Sequence, residues 1–375
     1  MSQQFNPDRR SILGALAMTL AAAPFGGAAF GQSGNAKTAG ASAIKPGTNT
    51  SFGPLKQIDA GVLNIGYAEA GPASGPVVIL LHGWPYDIYS FVDVAPVLAS
   101  AGFRVIVPYL RGYGTTRFLS PDTPRNGQQG ALATDVIALM DALGIEKAVV
   151  AGFDWGARTA DIVAAIWPER VKALVSVSGY LIGSQQANSN PVAAGGRTAM
   201  VVPVLLRDRT RPGRLRKVPA RVFQADLAAR PPKWDFDNAT FDRSAASFDN
   251  PDHVAIVIHN YRWRLGLAPG EARFDDLEKR LAEFPVITVP TITLEGDANG
   301  APHPDPKAYA KKFSGKYPTV SSPAGSGITR PRKRRRPSPT PLLRSPVTED
   351  RRSAPGNCWG VRGRPPTSGI SGTEP

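Results

Sequence analysis

The chain has one cysteine, Cys358, which excludes an intrachain disulfide and any cysteine-rich metal site. Histidine is nearly as scarce. There are four in 375 residues, at 82, 253, 259 and 303, and none follows. Long apolar runs are missing too, because the stretch near the N-terminus is short and rich in Gly and Ala. A stable membrane anchor is therefore not expected. There are no internal repeats. Acidic residues are outnumbered, 30 Asp/Glu against 44 Lys/Arg, which gives a net charge of +14. The excess is uneven: residues 318–375 carry 11 Lys/Arg against 3 Asp/Glu, leaving 33 against 27 for the rest. A basic surface that would suggest nucleic acid thus belongs mainly to the tail.

What is present points to a folded, exported domain. A hydrophobic content of 42% is enough for a substantial core. Arg9-Arg10, ahead of Ser11-Ile12-Leu13 and an Ala/Leu/Gly-rich run to about Gly31, resembles a bacterial twin-arginine export signal. Residues 1–31 are read as that signal, with a periplasmic or extracellular destination, and 32–51 as a small-residue linker.

From Phe52 the pattern becomes regular. "LKQIDAGVLNIGYAEAG" predicts two strands turning at Ala60-Gly61. "PVVILLHG", "RVIVPYL", "KAVVAG" and "VKALVSVSG" are continuous, β-branched apolar runs, as strands buried on both faces require. Between them lie helical segments. In "LATDVIALMDALGI", Leu132, Val136, Leu139, Met140 and Leu143 share one face and Gly144 stands at the C-cap. Strand–helix alternation predicts an α/β fold with a mostly parallel sheet covered on both faces. Residues 52–182 form the first part of this core. Residues 183–285 break the rhythm as an inserted helical lid, and 286–317, with "VPTITLEGD", resume the sheet.

Chemistry concentrates at strand ends. "AGFDWGA" places Asp154 between Gly152 and Gly156, after a strand and before a helix, the setting of a nucleophile elbow. An ordinary loop with Asp154 as N-cap would look similar. "HGWP", His82 to Pro85, ends an earlier strand, where the Trp84 amide could join that of Trp155 in holding developing negative charge. "LRGYG" follows the next strand.

On these three motifs the chain resembles the α/β-hydrolase superfamily, within it the epoxide hydrolases and haloalkane dehalogenases, over residues 52–182 and 233–313. The resemblance implies an α/β-hydrolase fold, no cofactor or metal, and a small apolar, epoxide-like substrate. It makes Asp154 a nucleophile that attacks an sp³ carbon and forms an alkyl-enzyme ester. Asp297 matches the acid that orients a water-activating His, with Glu295 as the alternative. Tyr261, in "IHNYRWR", matches a lid tyrosine that protonates the epoxide oxygen, although a core tyrosine on an apolar helix would read the same way. Trp84 and Trp155 match the oxyanion hole. A dehalogenase would hold a halide with ring N–H groups such as that of Trp155, and a catalytically dead binder would keep the scaffold alone.

No histidine stands where the resemblance requires the base. His82 belongs to its motif, His253 and His259 to the lid, and His303 follows Asp297 too closely. Residues 318–375, with "ITRPRKRRRPSPTP", are read as an aberrant tail lacking the last strand and helix. Back-translated with free codon choice and read two bases on, Pro318 to Thr340 permits a strand, a Gly-x-Gly-His loop and a helix. Val201 to Ala229 in the lid, read one base on, permits a helical segment bearing a second tyrosine, which favours the epoxide branch. The expectation is therefore a reading frame slipped twice and an enzyme impaired by loss of its base. Taken at face value the tail would be a disordered nucleic-acid arm, a poorer fit to an exported protein.

Overall fold

The computed structural model describes residues 49–186, 237–295 and 305–321. The proposed export signal, lid segment 201–230 and most of the basic tail lie outside them.

The sheet begins with an antiparallel hairpin. β1 (Lys56–Ala60) pairs with β2 (Leu63–Ala70) around Gly61, whose φ of 60° favours glycine. β3 (Val77–Leu81), β4 (Arg104–Pro108), β6 (Ala148–Phe153), β7 (Val171–Val177) and β8 (Thr291–Glu295) follow in parallel. A two-residue strand, β5 (Arg117–Phe118), pairs with β2, and β9 (Thr319–Ser321) pairs with β8, giving the order β1-β2-β4-β3-β6-β7-β8-β9. Val78 to Leu81, Val105 to Val107 and Val149 to Ala151 are almost wholly buried. At about 25 cal/mol per Å² such runs supply much of the stabilising burial, and they fix the sheet as the molecule's centre.

Three helices cover these strands. α1 (Val94–Ser100) is shorter than its sequence suggests, because Ile88–Phe91 forms a separate 3₁₀ turn capped by the Asp87 carboxylate. α2 (Gln129–Ala142) buries Leu132, Val136, Leu139 and Met140, as its periodicity predicts, and Gly144 follows with φ of 64°. α3 (Trp155–Ile166) lies against β6 and β3, where a Cβ at Gly156 would stand 2.0 Å from the Leu81 carbonyl oxygen. Only glycine allows that approach.

The described part of the lid is helical, as expected: α4 (Asn238–Ala245), α5 (His253–Arg264) and α6 (Asp275–Ala282). Its attachment to the core is in part apolar, through Phe248, Ile256, Val257 and Leu281, and in part polar. Arg125 pairs with Asp252 at 2.8 Å, Asn260 donates to the Gly127 carbonyl at 2.7 Å, and Glu278 accepts from Gln129 and the Gly130 amide.

One expectation is corrected. The sheet does not stop at β8, because Thr319–Ser321 pairs in parallel with Thr293–Glu295. The approach to β9 is already guided: the Thr291 amide donates to the Lys316 carbonyl, and Tyr317 stacks on Phe313 with ring centroids 4.6 Å apart. Backbone groups make the ladder whatever the side chains are. The helix expected beyond it lies outside the described residues, as does the rest of the tail.

Candidate active site

Asp154 sits at the junction of β6 and α3 with φ 54° and ψ −117°, a conformation that non-glycine residues seldom adopt. The turn raises its side chain above the sheet, and the residue is exposed. The HGWP loop presses against it from β3. A Cβ at Gly83 would stand 2.4 Å from the Asp154 Cβ, so the close approach requires glycine there. In this position the Trp84 amide donates to Asp154 Oδ1 at 2.9 Å. The Trp155 amide belongs to the first turn of α3, where helix N–H groups have no partner within the helix.

Tyr261 reaches the same place from α5. Its ring lies edge-on to Trp84, with centroids 5.5 Å apart, and 6.0 Å from the ring of Trp155. Burial and the Asp154 charge push its hydroxyl well above the ordinary phenol range, so it keeps its proton. Three of the predicted site residues, Asp154, Trp84 and Tyr261, thus lie together, with the Trp155 ring beside that of Tyr261. Asp297 lies outside the described residues, and so does His303. The alternative acid, Glu295, ends β8 and accepts a hydrogen bond from the Tyr309 hydroxyl.

The three described histidines are structural. His82 is fully buried and its Nε2 accepts from the Leu110 amide at 3.1 Å. His253 is fully buried, with Nδ1 donating to the Gly112 carbonyl at 2.9 Å. Desolvation holds both as neutral imidazoles, His82 down to about 3 and His253 to about 4. They flank the Tyr113 ring edge-on, each with centroids 4.7 Å from it, and Tyr113 in turn abuts Trp155. This aromatic layer supports the site from below. His259 accepts from the Gly127 amide at its Nδ1 and donates to the Pro269 carbonyl from Nε2.

Several features near the site were not legible in the sequence. Asp161, on α3, is buried, accepts from the Leu181 amide and is pushed up to about 8 by desolvation. Asp87 is buried where the core meets the lid, accepts from Ser244 Oγ and the Tyr89 amide, and is raised to about 7 for the same reason. Arg111 of LRGYG is also buried, in a two-pronged pair with Asp135 at 2.6 Å on each prong. A cavity of about 300 Å³ lined by Tyr89, Tyr109, Arg117, Arg243 and Asn250 opens along the lid seam, and none of the candidate residues lines it. Burial of a charged group is set by tertiary packing, and the only local sign was an acid or arginine inside an apolar motif. No group of three or more potential metal ligands occurs among the described residues.

Residues 76–247 match the family model of the alpha/beta hydrolase fold. Epoxide hydrolase 3 of Siraitia grosvenorii is 42% identical over 130 residues, 35% of this chain and 40% of that protein. Epoxide hydrolase A of Mycobacterium tuberculosis is 36% identical over 121 residues, 32% and 37% of the two chains. The chain thus spans about two fifths of the length of these curated relatives. Among solved structures, that of a candidate epoxide hydrolase from Klebsiella pneumoniae is 56% identical, covers 73% of this chain and 90% of its own, and superposes with a TM-score of 0.71. The chain belongs to the α/β-hydrolase fold family, in its epoxide-hydrolase-like branch.

Proposed function

We propose that this chain is a hydrolase of the epoxide-opening type that acts through an alkyl-enzyme ester on Asp154. The observation that carries the reading is the hydrogen bond from the Trp84 amide to Asp154 Oδ1 at 2.9 Å, beneath the Tyr261 ring. With Oδ1 held, Oδ2 attacks an epoxide carbon. The carbon–oxygen bond breaks as Tyr261 gives its proton to the departing oxygen, leaving an ester and a free hydroxyl. Oδ1 is then the ester carbonyl oxygen, already against the donor that would stabilise a tetrahedral intermediate. Release needs a base to take a proton from the attacking water. No described histidine faces Asp154 for that task, and the sequence has none after His303. Asp297 is the proposed orienting acid.

The reaction therefore stops at the ester. Incubated with styrene oxide, the intact chain gains the mass of one epoxide, hydroxylamine removes it, and Asp154→Asn shows no gain. Steady release of diol would refute the missing base, and an unlabelled parent chain would refute the nucleophile. Thermal protection by an epoxide that is neither consumed nor attached would identify a binder. The Trp155 indole N–H, buried and beside the Tyr261 hydroxyl, favours a second reading as a carbon–halogen hydrolase. Labelling by an alkyl bromide in preference to the epoxide would select it.

The lost base is ascribed to the slipped frame, which resequencing codons 200–232 and 317–345 tests. Export by the twin-arginine route is proposed from the N-terminal motif alone, and fractionation of expressing cells would locate the protein.

A further inference from the structure

Two arginines lie near the proposed nucleophile. Arg158 lies in the first turn of α3, which Asp154 precedes, and the Asp154 charge is among those that act on it. Its Nε donates to the Leu181 carbonyl at 3.0 Å, which anchors the near edge of the guanidinium. Arg264 comes from the opposite wall, the end of α5, and its guanidinium carbon lies 5.8 Å from the Tyr261 ring centre. Both residues are half-buried. Among the described residues neither forms an ion pair, whereas Arg111 and Arg125, also at the seam of core and lid, do.

Among the described residues the local charge does not balance. Burial, followed by the Arg264 charge, lowers Arg158 to about 10, which still leaves it a cation. Asp161, the acid next along α3, is raised to about 8 and is neutral at pH 7. Among the described residues Asp154 is then the acid left facing these two charges, with its Oδ1 held by the Trp84 amide. Like charges in a partly desolvated site repel, and a bound anion removes the cost.

We infer that the substrate carries a carboxylate beside its reacting carbon, bound between Arg158 and Arg264 while Asp154 attacks. The substrate class is thus a 2,3-epoxy carboxylate rather than a wholly apolar epoxide. The inference rests on the epoxide-opening reading for its chemistry, but the anion site can be tested without it. Charge-assisted hydrogen bonds from guanidinium to carboxylate are about twice as strong as neutral ones. A tenfold or larger preference for the anion is therefore expected, given that about 1.4 kcal/mol is tenfold.

The test pairs mandelate with mandelamide, unreactive ligands differing in that charge, in calorimetric titrations of the full chain. Mandelate binds about 10-fold more tightly or better. Arg264→Gln and Arg158→Gln each bring the ratio close to one, Arg158→Lys retains most of it, and Arg170→Gln, a surface control, retains all of it. Equal affinities, no binding of either ligand, or a preference surviving both glutamine variants would overturn the inference. Labelling with 3-phenylglycidate, its amide and styrene oxide then separates the two readings. If the neutral epoxides attach and glycidate gains nothing, the nucleophile stands and the anion site falls. If mandelate is preferred but no epoxide attaches, the anion site stands and the nucleophile falls.

Discussion

The two halves of the sheet differ in what holds them and in what they carry. Around β3 and β6, interior side chains, glycine contacts and site geometry are one arrangement: Gly156 seats α3 on the Leu81 carbonyl, and Gly83 brings the Trp84 amide to Asp154. At β8 and β9 the strands pair as regularly, yet β9 is three residues long and carries no group of the proposed chemistry. Backbone hydrogen bonding accepts almost any sequence into a parallel ladder, whereas a base or a nucleophile must be one particular side chain. A strand can therefore join a sheet without bringing a catalytic group with it.

The sharpest way to break this contrast is at the tightest glycine. Gly156→Ala places a methyl against the Leu81 backbone and should cost about 3 kcal/mol or more, with loss of soluble protein or a lowered Tm. A stability close to the parent's would show that the elbow is looser than its contacts require. Tyr261→Phe leaves the packing and removes the proposed proton donor. Epoxide labelling of Asp154 should slow by about 10²-fold, read by quenched mass spectrometry, with little change in Tm.

A matched deletion compares the halves directly. Ile79→Val, at a fully buried position of β3, should cost about 1.5 kcal/mol, and Ile292→Val, at a half-buried position of β8, about 0.5 kcal/mol, in urea denaturation. Equal losses would place the late strands on a par with the centre. The smallest effect is a slope. A carboxyl whose folded value is raised, as that of Asp161 is to about 8, stabilises at low pH and loses that contribution as pH rises toward the folded value. The neutral histidines act in the opposite sense, and only below about 6.5. Between pH 6.5 and 8 the parent's Tm should therefore fall, and Asp161→Asn should flatten that fall.

How much of this was legible beforehand depended on the range of the interaction. The apolar runs of β3, β4, β6 and β7, the face of α2 and the elbow at Asp154 are local patterns, and each stands where its pattern placed it. The 3₁₀ turn that precedes α1 depends on the Asp87 carboxylate capping it, a contact that no apolar periodicity contains. β9 escaped notice because its pairing is set by neighbours from Phe313 onward, not by its own three residues. The buried acids Asp87 and Asp161 and the approach of Tyr261 to Trp84 are meetings of distant segments. No spacing in the chain announces them.

The tether on Oδ1 has a stereochemical consequence. A carboxylate fixed at one oxygen does not rotate freely, so the lone pairs of Oδ2 point along one set direction before a ligand arrives. Which face of a carbon meets that direction then depends on how the ligand lies between the lid and the sheet. Handedness in the product would be decided by the lid's shape, with the carboxylate itself as the fixed reference.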